Sequence, residues 1–198
     1  MIEWGLAQQP RKSGQESGDL HVVQAFADGN LIGVVDGLGH GPEAAAASRL
    51  SVALLTEHAG APLTELVARC HERLHGTRGA TLSLAVINGK ESTWSWLGVG
   101  NVAGVLVRAG RGSQREREFL VPRNGLVGAR LPRLSVATVP AVPRDTMILA
   151  TDGIRSDFYE ALNMTGTPQK IAEETLTRYA TGTDDALVLV VRLQGRSR

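Results

Sequence analysis

The residues best suited to do chemistry in this chain are aspartates that lie next to apolar, strand-like segments. The most informative one opens the run Asp36-Gly37-Leu38-Gly39-His40-Gly41, directly after the apolar segment 31–35 and directly before an alanine-rich helix that begins with proline. Glycines allow the backbone to approach a ligand closely, so this turn can offer main-chain atoms beside the carboxylate. Comparable strand-end positions hold Asp19, Asp152 and Asp184.

Hairpin geometry places two of these aspartates at the same end of one strand pair. Asp28-Gly29 is a strong signal for a two-residue turn. Such a turn would set Asp19 opposite Leu38, only two positions from Asp36. We therefore expect the two carboxylates to lie close together.

The other two aspartates also flank strands. Asp152 follows the segment 147–150, and Asp184 precedes the segment 187–193. If these strands are antiparallel neighbours, their aspartates meet at one end. Clustered carboxylates repel one another by ~4 kcal/mol per close pair at an intermediate dielectric, so such a cluster requires bound protons or cations.

A cluster of this kind has a recognisable chemistry. Oxygen-only ligands favour Mg²⁺, Mn²⁺ or Ca²⁺ over zinc. Two such ions ~3.5–4 Å apart that share a water form a common device for phosphoester hydrolysis. The ordinary alternative is that strand-end aspartates form turns or cap helices, which explains one such residue more readily than four.

The composition narrows the class of protein. The chain has 198 residues, of which 42% are hydrophobic, and a formal net charge of +1. This size fits a single domain over residues 1–198, and the charge argues against broad binding to nucleic acid or anionic membrane. No apolar stretch approaches the ~20 residues of a membrane span, and the start lacks the features of a secretory signal. The single cysteine excludes an internal disulfide, so we expect a cytoplasmic protein.

Short β-branched or alternating runs predict about nine strands. They cover residues 21–26, 31–35, 80–87, 93–99, 102–107, 118–121, 134–139, 147–150 and 187–193. Proline starts and glycine stops predict helices at residues 42–58, 62–74 and 168–179. Hairpin-linked strands with two helices together and a third late favour the α+β class, as an antiparallel β-sandwich flanked by α-helices.

The aspartate motifs, taken in order, resemble one known family. They are Ser17-Gly18-Asp19, the 36–41 run, Thr151-Asp152-Gly153, and Asp184-Asp185-Ala186 before an apolar strand. The set resembles the signature of the metal-dependent (PPM, type 2C) protein phosphatases, in the form of the bacterial SpoIIE-like branch, and spans residues 17 to 191. The resemblance implies the PPM phosphatase fold, a sandwich of two antiparallel β-sheets flanked by α-helices, and a phosphoserine/phosphothreonine protein phosphatase.

The resemblance also implies a role for each matching residue. Two Mn²⁺ or Mg²⁺ ions would be held by Asp19, Asp36, Gly37, Asp152 and Asp184. Asp36 would bridge both ions, the Gly37 carbonyl would ligate one, and Asp19 would approach that ion through water. Asp152 and Asp184 would hold the other ion. Asp36 and Asp152 are the expected catalytic residues, and a bridging hydroxide would attack the phosphorus in line, without a phosphoenzyme.

The short length and general pattern resemble the family's stressosome feedback phosphatases. This resemblance implies that the substrates are phosphorylated STAS-domain proteins and that the protein resets a stress signal. Neither a nucleic acid nor a membrane is expected as a partner, and the sequence leaves the oligomeric state open.

Several positions depart from the family pattern. Animal members have a histidine, a candidate general acid, where this chain has Leu38, and an acidic residue where it has Gly18. Their phosphate-binding arginine corresponds to Gly14, while Arg11 and Lys12 lie nearby but out of register. Two alternatives therefore stay open: a non-catalytic module that binds a partner through the same cleft, and a phosphatase for small phosphoesters.

Other conspicuous residues have structural interpretations. Trp94 and Trp96 fall on one face of a strand, and Cys70 falls on the apolar face of a helix, so all three are predicted to be core residues. The segment 108–118 carries four arginines and is predicted to form a solvated hairpin loop. The alternative interpretation of that segment is a docking surface for an acidic phosphoprotein.

Overall fold

Two five-stranded antiparallel sheets packed face to face form the centre of the computed structural model, which describes residues 1–110 and 116–195. Three helices cover the outer faces, two over one sheet and one over the other. The predicted α+β class and the sandwich of two antiparallel sheets flanked by helices are confirmed. Within the described residues, no helix is long and apolar enough to cross a membrane.

The elements follow one another in a simple order. The strands are β1 (Ile2–Gln9), β2 (Asp19–Phe26), β3 (Gly29–Gly37), β4 (Ala80–Asn88), β5 (Thr93–Val99), β6 (Ala103–Val107), β7 (Arg117–Leu120), β8 (Ala137–Pro140), β9 (Thr146–Ala150) and β10 (Ala186–Leu193). The helices are α1 (Pro42–Glu57), α2 (Leu63–Arg73) and α3 (Pro168–Tyr179). The first sheet has the order β1-β10-β9-β6-β7, and the second has the order β2-β3-β4-β5-β8.

Three apolar layers hold these elements together. One lies between the second sheet and the pair α1 and α2, and it includes the buried thiol of Cys70. The middle layer lies between the two sheets and includes Trp94 and Trp96. The third packs α3 against the first sheet. The predicted core positions of both tryptophans and of the cysteine are therefore confirmed.

Helix α1 packs unusually close to strand β3. Its inner face is built from small residues, among them Ala44, Ala45 and Ala47. A Cβ atom at Gly37 would lie 2.1 Å from the Ala44 carbonyl oxygen, so only glycine fits at that point. The helix therefore fixes the end of β3, where the 36–41 turn begins. At the start of α3, the Thr167 hydroxyl caps the helix by accepting a hydrogen bond from the Lys170 N–H.

Strand β1 is absent from the sequence prediction. It pairs with β10 along its whole length as an edge strand. Its sequence, IEWGLAQQ, lacks the continuous apolar run of an ordinary strand. In the structure, only Gly5 and Ala7 of this strand are buried. The side-chain amide of Gln169 on α3 donates to the Leu6 carbonyl (2.9 Å) and accepts from the Leu6 N–H (3.0 Å). This contact satisfies both backbone groups of Leu6 on the free edge of the strand.

The predicted register of the first hairpin is wrong by two residues. The turn consists of Ala27 and Asp28, because Phe26 pairs with Gly29, and Asp19 lies directly opposite Asp36 instead of Leu38. Gly29 belongs to the strand because β4 passes close to it: a Cβ atom there would lie 2.0 Å from the Ile87 carbonyl oxygen.

The connection between β4 and β5 has four residues (89–92), and in it the Asn88 side chain accepts from the N–H groups of Lys90 and Glu91. The predicted strand 134–139 forms only from Ala137 to Pro140. Pairing with β5 begins only at Ala137, opposite Trp96.

The predicted 108–118 loop lies between β6 and β7, which form a hairpin. Arg108 is half-buried and ion-paired with Asp145 (2.9 Å) and Glu118 (3.3 Å). Arg111 and Arg115 lie outside the described residues.

Replacement of Gly5 by alanine tests how tightly β1 packs on α3. A Cβ atom at Gly5 would lie 2.2 Å from the backbone nitrogen of Gln169, so Gly5→Ala should lower the free energy of unfolding by about 1–3 kcal/mol. Urea denaturation measures this change. Gly110→Ala is the control, because among residues 1–110 and 116–195 a Cβ there meets nothing within 4 Å. It should change stability by less than about 0.5 kcal/mol. Equal stability of the two variants would contradict the close packing of β1.

Candidate active site

The first two aspartates face each other across one strand pair. Asp19 begins β2, Asp36 lies near the end of β3, and the two are direct partners in the register. The Asp19 side chain is almost fully buried (2% exposed), whereas Asp36 is half-buried. Directly opposed carboxylates are destabilising unless a proton or a cation separates them.

The second pair belongs to the other sheet. Asp152 follows β9, and Asp184 lies shortly before β10, its antiparallel neighbour. Both pairs lie at the same end of the sandwich, since β2, β10 and the chain after β9 all meet there. The structure therefore brings all four predicted aspartates to one end.

Burial and the proximity of other carboxylates raise the pKa values of three of these carboxyl groups. Burial, followed by the charges of Asp19, Asp152 and Asp184, raises the pKa of Asp36 to about 8. Burial also raises the pKa of Asp19 to about 7, with smaller contributions from neighbouring aspartates. The pKa of Asp152 is raised as well, first by burial and then by Asp184. Each carboxylate thus experiences the negative charge of others.

A threonine hydroxyl connects the two sheets beside Asp19. The Thr151 Oγ1–H donates to Asp19 Oδ2 (2.7 Å), and the same oxygen accepts from the Leu187 N–H (2.9 Å). Because the Leu187 N–H donates to the Thr151 hydroxyl oxygen, the hydroxyl proton points at the Asp19 carboxylate. This bond lowers the pKa of Asp19 against the effect of burial and fixes the orientation of the side chain.

An asparagine connects the two sheets beside Asp152. Asn101 Nδ2 donates to Asp152 Oδ2 (2.6 Å), and Asn101 Oδ1 accepts from the Thr81 hydroxyl (2.5 Å). Thr81 is the β4 partner of Asp36. The amide therefore links Asp152 on one sheet to the strand position next to Asp36 on the other.

Asp185 holds the loop that precedes Asp19. Its carboxylate is buried and accepts from the backbone N–H groups of Arg11 and Gly18, both at 2.7 Å. The Gly18 carbonyl in turn accepts from the Gly37 N–H (3.1 Å). This network joins the strand-end loops that carry Asp19, Asp36 and Asp184, so Asp185 supports these loops.

The departures from the family pattern have a structural basis. A Cβ atom at Gly18 would lie 3.2 Å from Ala44 Cβ and 3.3 Å from the Gly37 carbonyl oxygen, which leaves little space for an acidic side chain. The Leu38 side chain is 48% exposed and has no proton to donate. His40 is also exposed, within the turn that leads to α1.

The comparison with known proteins places the chain in a family. Residues 27–194 match the model of stage II sporulation protein E (SpoIIE). The chain belongs to the SpoIIE family. It is 24% identical over 187 residues to the phosphoserine phosphatase RsbX of Bacillus subtilis (strain 168), which covers 94% of this chain and 92% of the relative.

Solved structures share the fold of this SpoIIE-family domain. One is a chain from a structure of the bacterial stressosome, a modular system adapted to control secondary messenger signalling, with a TM-score of 0.85, 26% identity, and coverage of 97% of this chain and 100% of that one. Another is the crystal structure of RsbX in complex with magnesium, with a TM-score of 0.84, 23% identity, and coverage of 98% and 96%. The predicted resemblance, the fold and the enzyme class of a protein serine/threonine phosphatase are confirmed.

The donor set of the SpoIIE-family domain fits a hard divalent cation. All the candidate side chains offer oxygen, and the charges of neighbouring aspartates add to burial in raising the pKa values of Asp19, Asp36 and Asp152. Within residues 1–110 and 116–195, no group of three or more His, Cys, Asp or Glu side chains is arranged to hold a metal ion as it stands. Mg²⁺ typically uses one or two carboxylates and keeps several waters, so the site does not need three converging side chains.

Sequence reasoning missed the residues that orient the carboxylates. Thr151 had a usable signal, because it directly precedes Asp152 in the motif. Asn101 lies between the predicted strands 93–99 and 102–107 without a signal of its own, and Thr81 had no signal at all. Their function depends on which loops meet across the two sheets, and a local pattern does not encode that.

Replacement of Thr151 by valine tests the bond between the sheets. The variant would leave the buried Asp19 carboxylate and the Leu187 N–H without their partner, so the free energy of unfolding should fall by about 1–3 kcal/mol. Thr151→Ser keeps the hydroxyl and should retain most of the stability. Urea denaturation of both variants checks the difference. If valine and serine behave alike, the hydroxyl does not hold Asp19.

Proposed function

We propose that this SpoIIE-family domain is a Mn²⁺- or Mg²⁺-dependent phosphoserine/phosphothreonine phosphatase that acts on phosphorylated STAS-domain proteins of a stressosome and so resets a stress signal. The single observation that carries the proposal is the meeting of strand-end aspartates from both sheets, with the pKa of Asp36 raised to about 8 and that of Asp19 to about 7. A cluster of carboxyl groups with strongly raised pKa values is typical of a functional site.

The proposed ligands are those that the family resemblance implies. Asp36 would be shared by two ions, with the Gly37 carbonyl and Asp19 on the side of the first ion. Asp152 and Asp184 would serve the second ion. When bound, the ions would supply Lewis acidity that activates water and offsets the charge that develops on the phosphoryl group.

The protein's own residues would keep this site in order. Thr151 and Asn101 hold the carboxylates of Asp19 and Asp152 at fixed angles, and each bond favours the ionised form. Ionised carboxylates are the form that cations bind. Because Leu38 has no proton to give, we infer that solvent water protonates the departing serine oxygen.

The substrate class rests on two relatives. RsbX is a phosphoserine phosphatase, and a 26% identical chain of similar fold comes from a stressosome structure. We also propose that residues 1–198 form one phosphatase domain, because β1 and β10, near the two ends of the sequence, pair in one sheet. A cytoplasmic location, and the absence of nucleic acid or membrane partners, stay predictions.

Phosphate release tests the catalytic proposal. The protein should release phosphate from p-nitrophenyl phosphate and from a phosphoserine protein with Mn²⁺ or Mg²⁺ and not with a chelator. Asp36→Asn and Asp152→Asn should each lower the rate by at least about 100-fold, since each removes a carboxylate from the site. Asp28→Asn, in the turn at the other end of the same hairpin as Asp36, is the matched control and should retain the parent rate.

Three results would contradict the proposal. Metal-independent release would exclude the ion-based mechanism. Binding of a phosphoprotein without phosphate release, in the presence of metal, would instead support the non-catalytic module. Release from p-nitrophenyl phosphate alone would favour a phosphatase for small phosphoesters.

Thermal stability tests metal binding without any reference to activity. Mn²⁺ at about 100 times its dissociation constant should stabilise the fold by about 2.7 kcal/mol, because the ion binds only the folded protein. The melting temperature of the parent and of Asp28→Asn should therefore rise on metal addition, whereas that of Asp36→Asn should rise much less. An equal rise in all three proteins would place the ion outside the aspartate site.

A further inference from the structure

A basic segment is attached beside the candidate active site. Residues 121–136 connect β7 of the first sheet to β8 of the second, and we call them the crossing segment. They contain Arg123, Arg130 and Arg133 and no acidic residue, which gives the segment a charge of +3. All three arginines are exposed.

Backbone hydrogen bonds fix the crossing segment next to the aspartates. Arg123 donates to the Gly98 carbonyl and accepts from the Gly100 N–H, both at 2.9 Å. Gly100 directly precedes Asn101, the residue that holds Asp152. One side of the segment is therefore attached beside the second aspartate pair.

The other part of the segment is attached beside the first pair. Val127 exchanges two backbone hydrogen bonds with Ala80, at 2.9 and 3.0 Å. Ala80 is the strand partner of Gly37. Leu126 and Arg130 close a tight loop through mutual backbone bonds at 2.8 and 2.9 Å, which places Arg130 close to this attachment point.

The three arginines differ from several others in the described part of the protein. Ion pairs engage Arg49, Arg69, Arg78, Arg108 and Arg155. In the part of the chain that the structure describes, the arginines of the crossing segment have neither an ion pair nor a side-chain hydrogen bond. Their guanidinium groups are thus available to a partner.

We propose that the crossing segment is the docking surface for the protein substrate, and that it selects phosphoserine sites flanked by acidic residues. This inference rests on the proposed phosphatase function. A phosphoserine carries a charge of about −1.5 to −2, so the four aspartates repel an approaching substrate. Exposed arginines beside the cleft offset that repulsion, and their planar groups bind carboxylates and phosphates through paired hydrogen bonds.

The surface differs from the one that the sequence indicated. The alternative interpretation of segment 108–118 as a docking surface is weakened because Arg108 is engaged by Asp145 and Glu118. The crossing segment begins directly after β7. Arg123 forms its first attachment, and Arg130 and Arg133 lie between its second attachment and β8.

Two phosphoserine peptides of equal length test the proposal, one flanked by glutamates and one by lysines. The parent should prefer the acidic peptide in kcat/KM, and added salt should reduce that preference. Arg123→Glu, Arg130→Glu and Arg133→Glu should each lower the acidic-to-basic ratio of kcat/KM by roughly fivefold, because a reversed charge at the rim slows encounter. Lys90→Glu is the control: it is an exposed charge in the β4–β5 connection, at the opposite end of the sandwich, and should leave the ratio unchanged.

A binding measurement separates this proposal from the phosphatase function itself. Fluorescence anisotropy of the labelled acidic peptide with Asp152→Asn in Mn²⁺ reports docking without turnover. Adding each arginine substitution to that variant should weaken binding, whereas adding Lys90→Glu should not. If the parent releases no phosphate but the arginine variants still lose binding, the phosphatase function fails and the docking surface stands. If the arginine variants match Lys90→Glu in both measurements while keeping the parent melting temperature, the docking surface is wrong.

Discussion

Repulsion between carboxylates at one end of the sandwich is the constraint on which the rest of the structure depends. Asp19 and Asp36 are direct partners across a strand pair, and the charges of Asp152 and Asp184 act on both. Such an arrangement destabilises the fold unless protons or cations reduce the charge. The remainder of the molecule has to hold the strands in register against this repulsion, and the large apolar layers on both sides of each sheet supply the required stability.

The hydrogen bonds between the sheets show how the site is kept ready for a cation. A buried carboxylate would normally be neutral, and a neutral acid is a poor ligand for a metal ion. Thr151 and Asn101 each donate to a carboxylate and thereby favour its ionised form. They also connect β9 and the β5–β6 connection to strands of the other sheet. The same bonds that orient the ligands therefore hold the two sheets at a fixed separation where the repulsion is greatest.

The sequence predicted the fold class, the three helices and the four strand-end aspartates, because each leaves a local pattern. It failed where packing overrides local preference. Gly29 was assigned to a turn although the close approach of β4 requires it within a strand, and the register moved by two residues. Strand β1 was missed because its partners, β10 and Gln169, lie more than 160 residues away along the chain. Asn101 and Thr81 were missed because their function arises only when the two sheets meet.

The charges of the cleft and of its rim complement each other. Acidic residues alone at the mouth of a cleft would exclude phosphorylated proteins, and a basic cleft would trap the released phosphate. Here the negative groups lie at the strand ends, where cations would neutralise them, and the positive groups lie on a separate segment outside. That separation allows the rim to attract an anionic partner while the centre keeps its affinity for metal. Backbone hydrogen bonds fix the crossing segment to Gly98, Gly100 and Ala80. Its backbone therefore loses little conformational entropy when its arginines bind a partner.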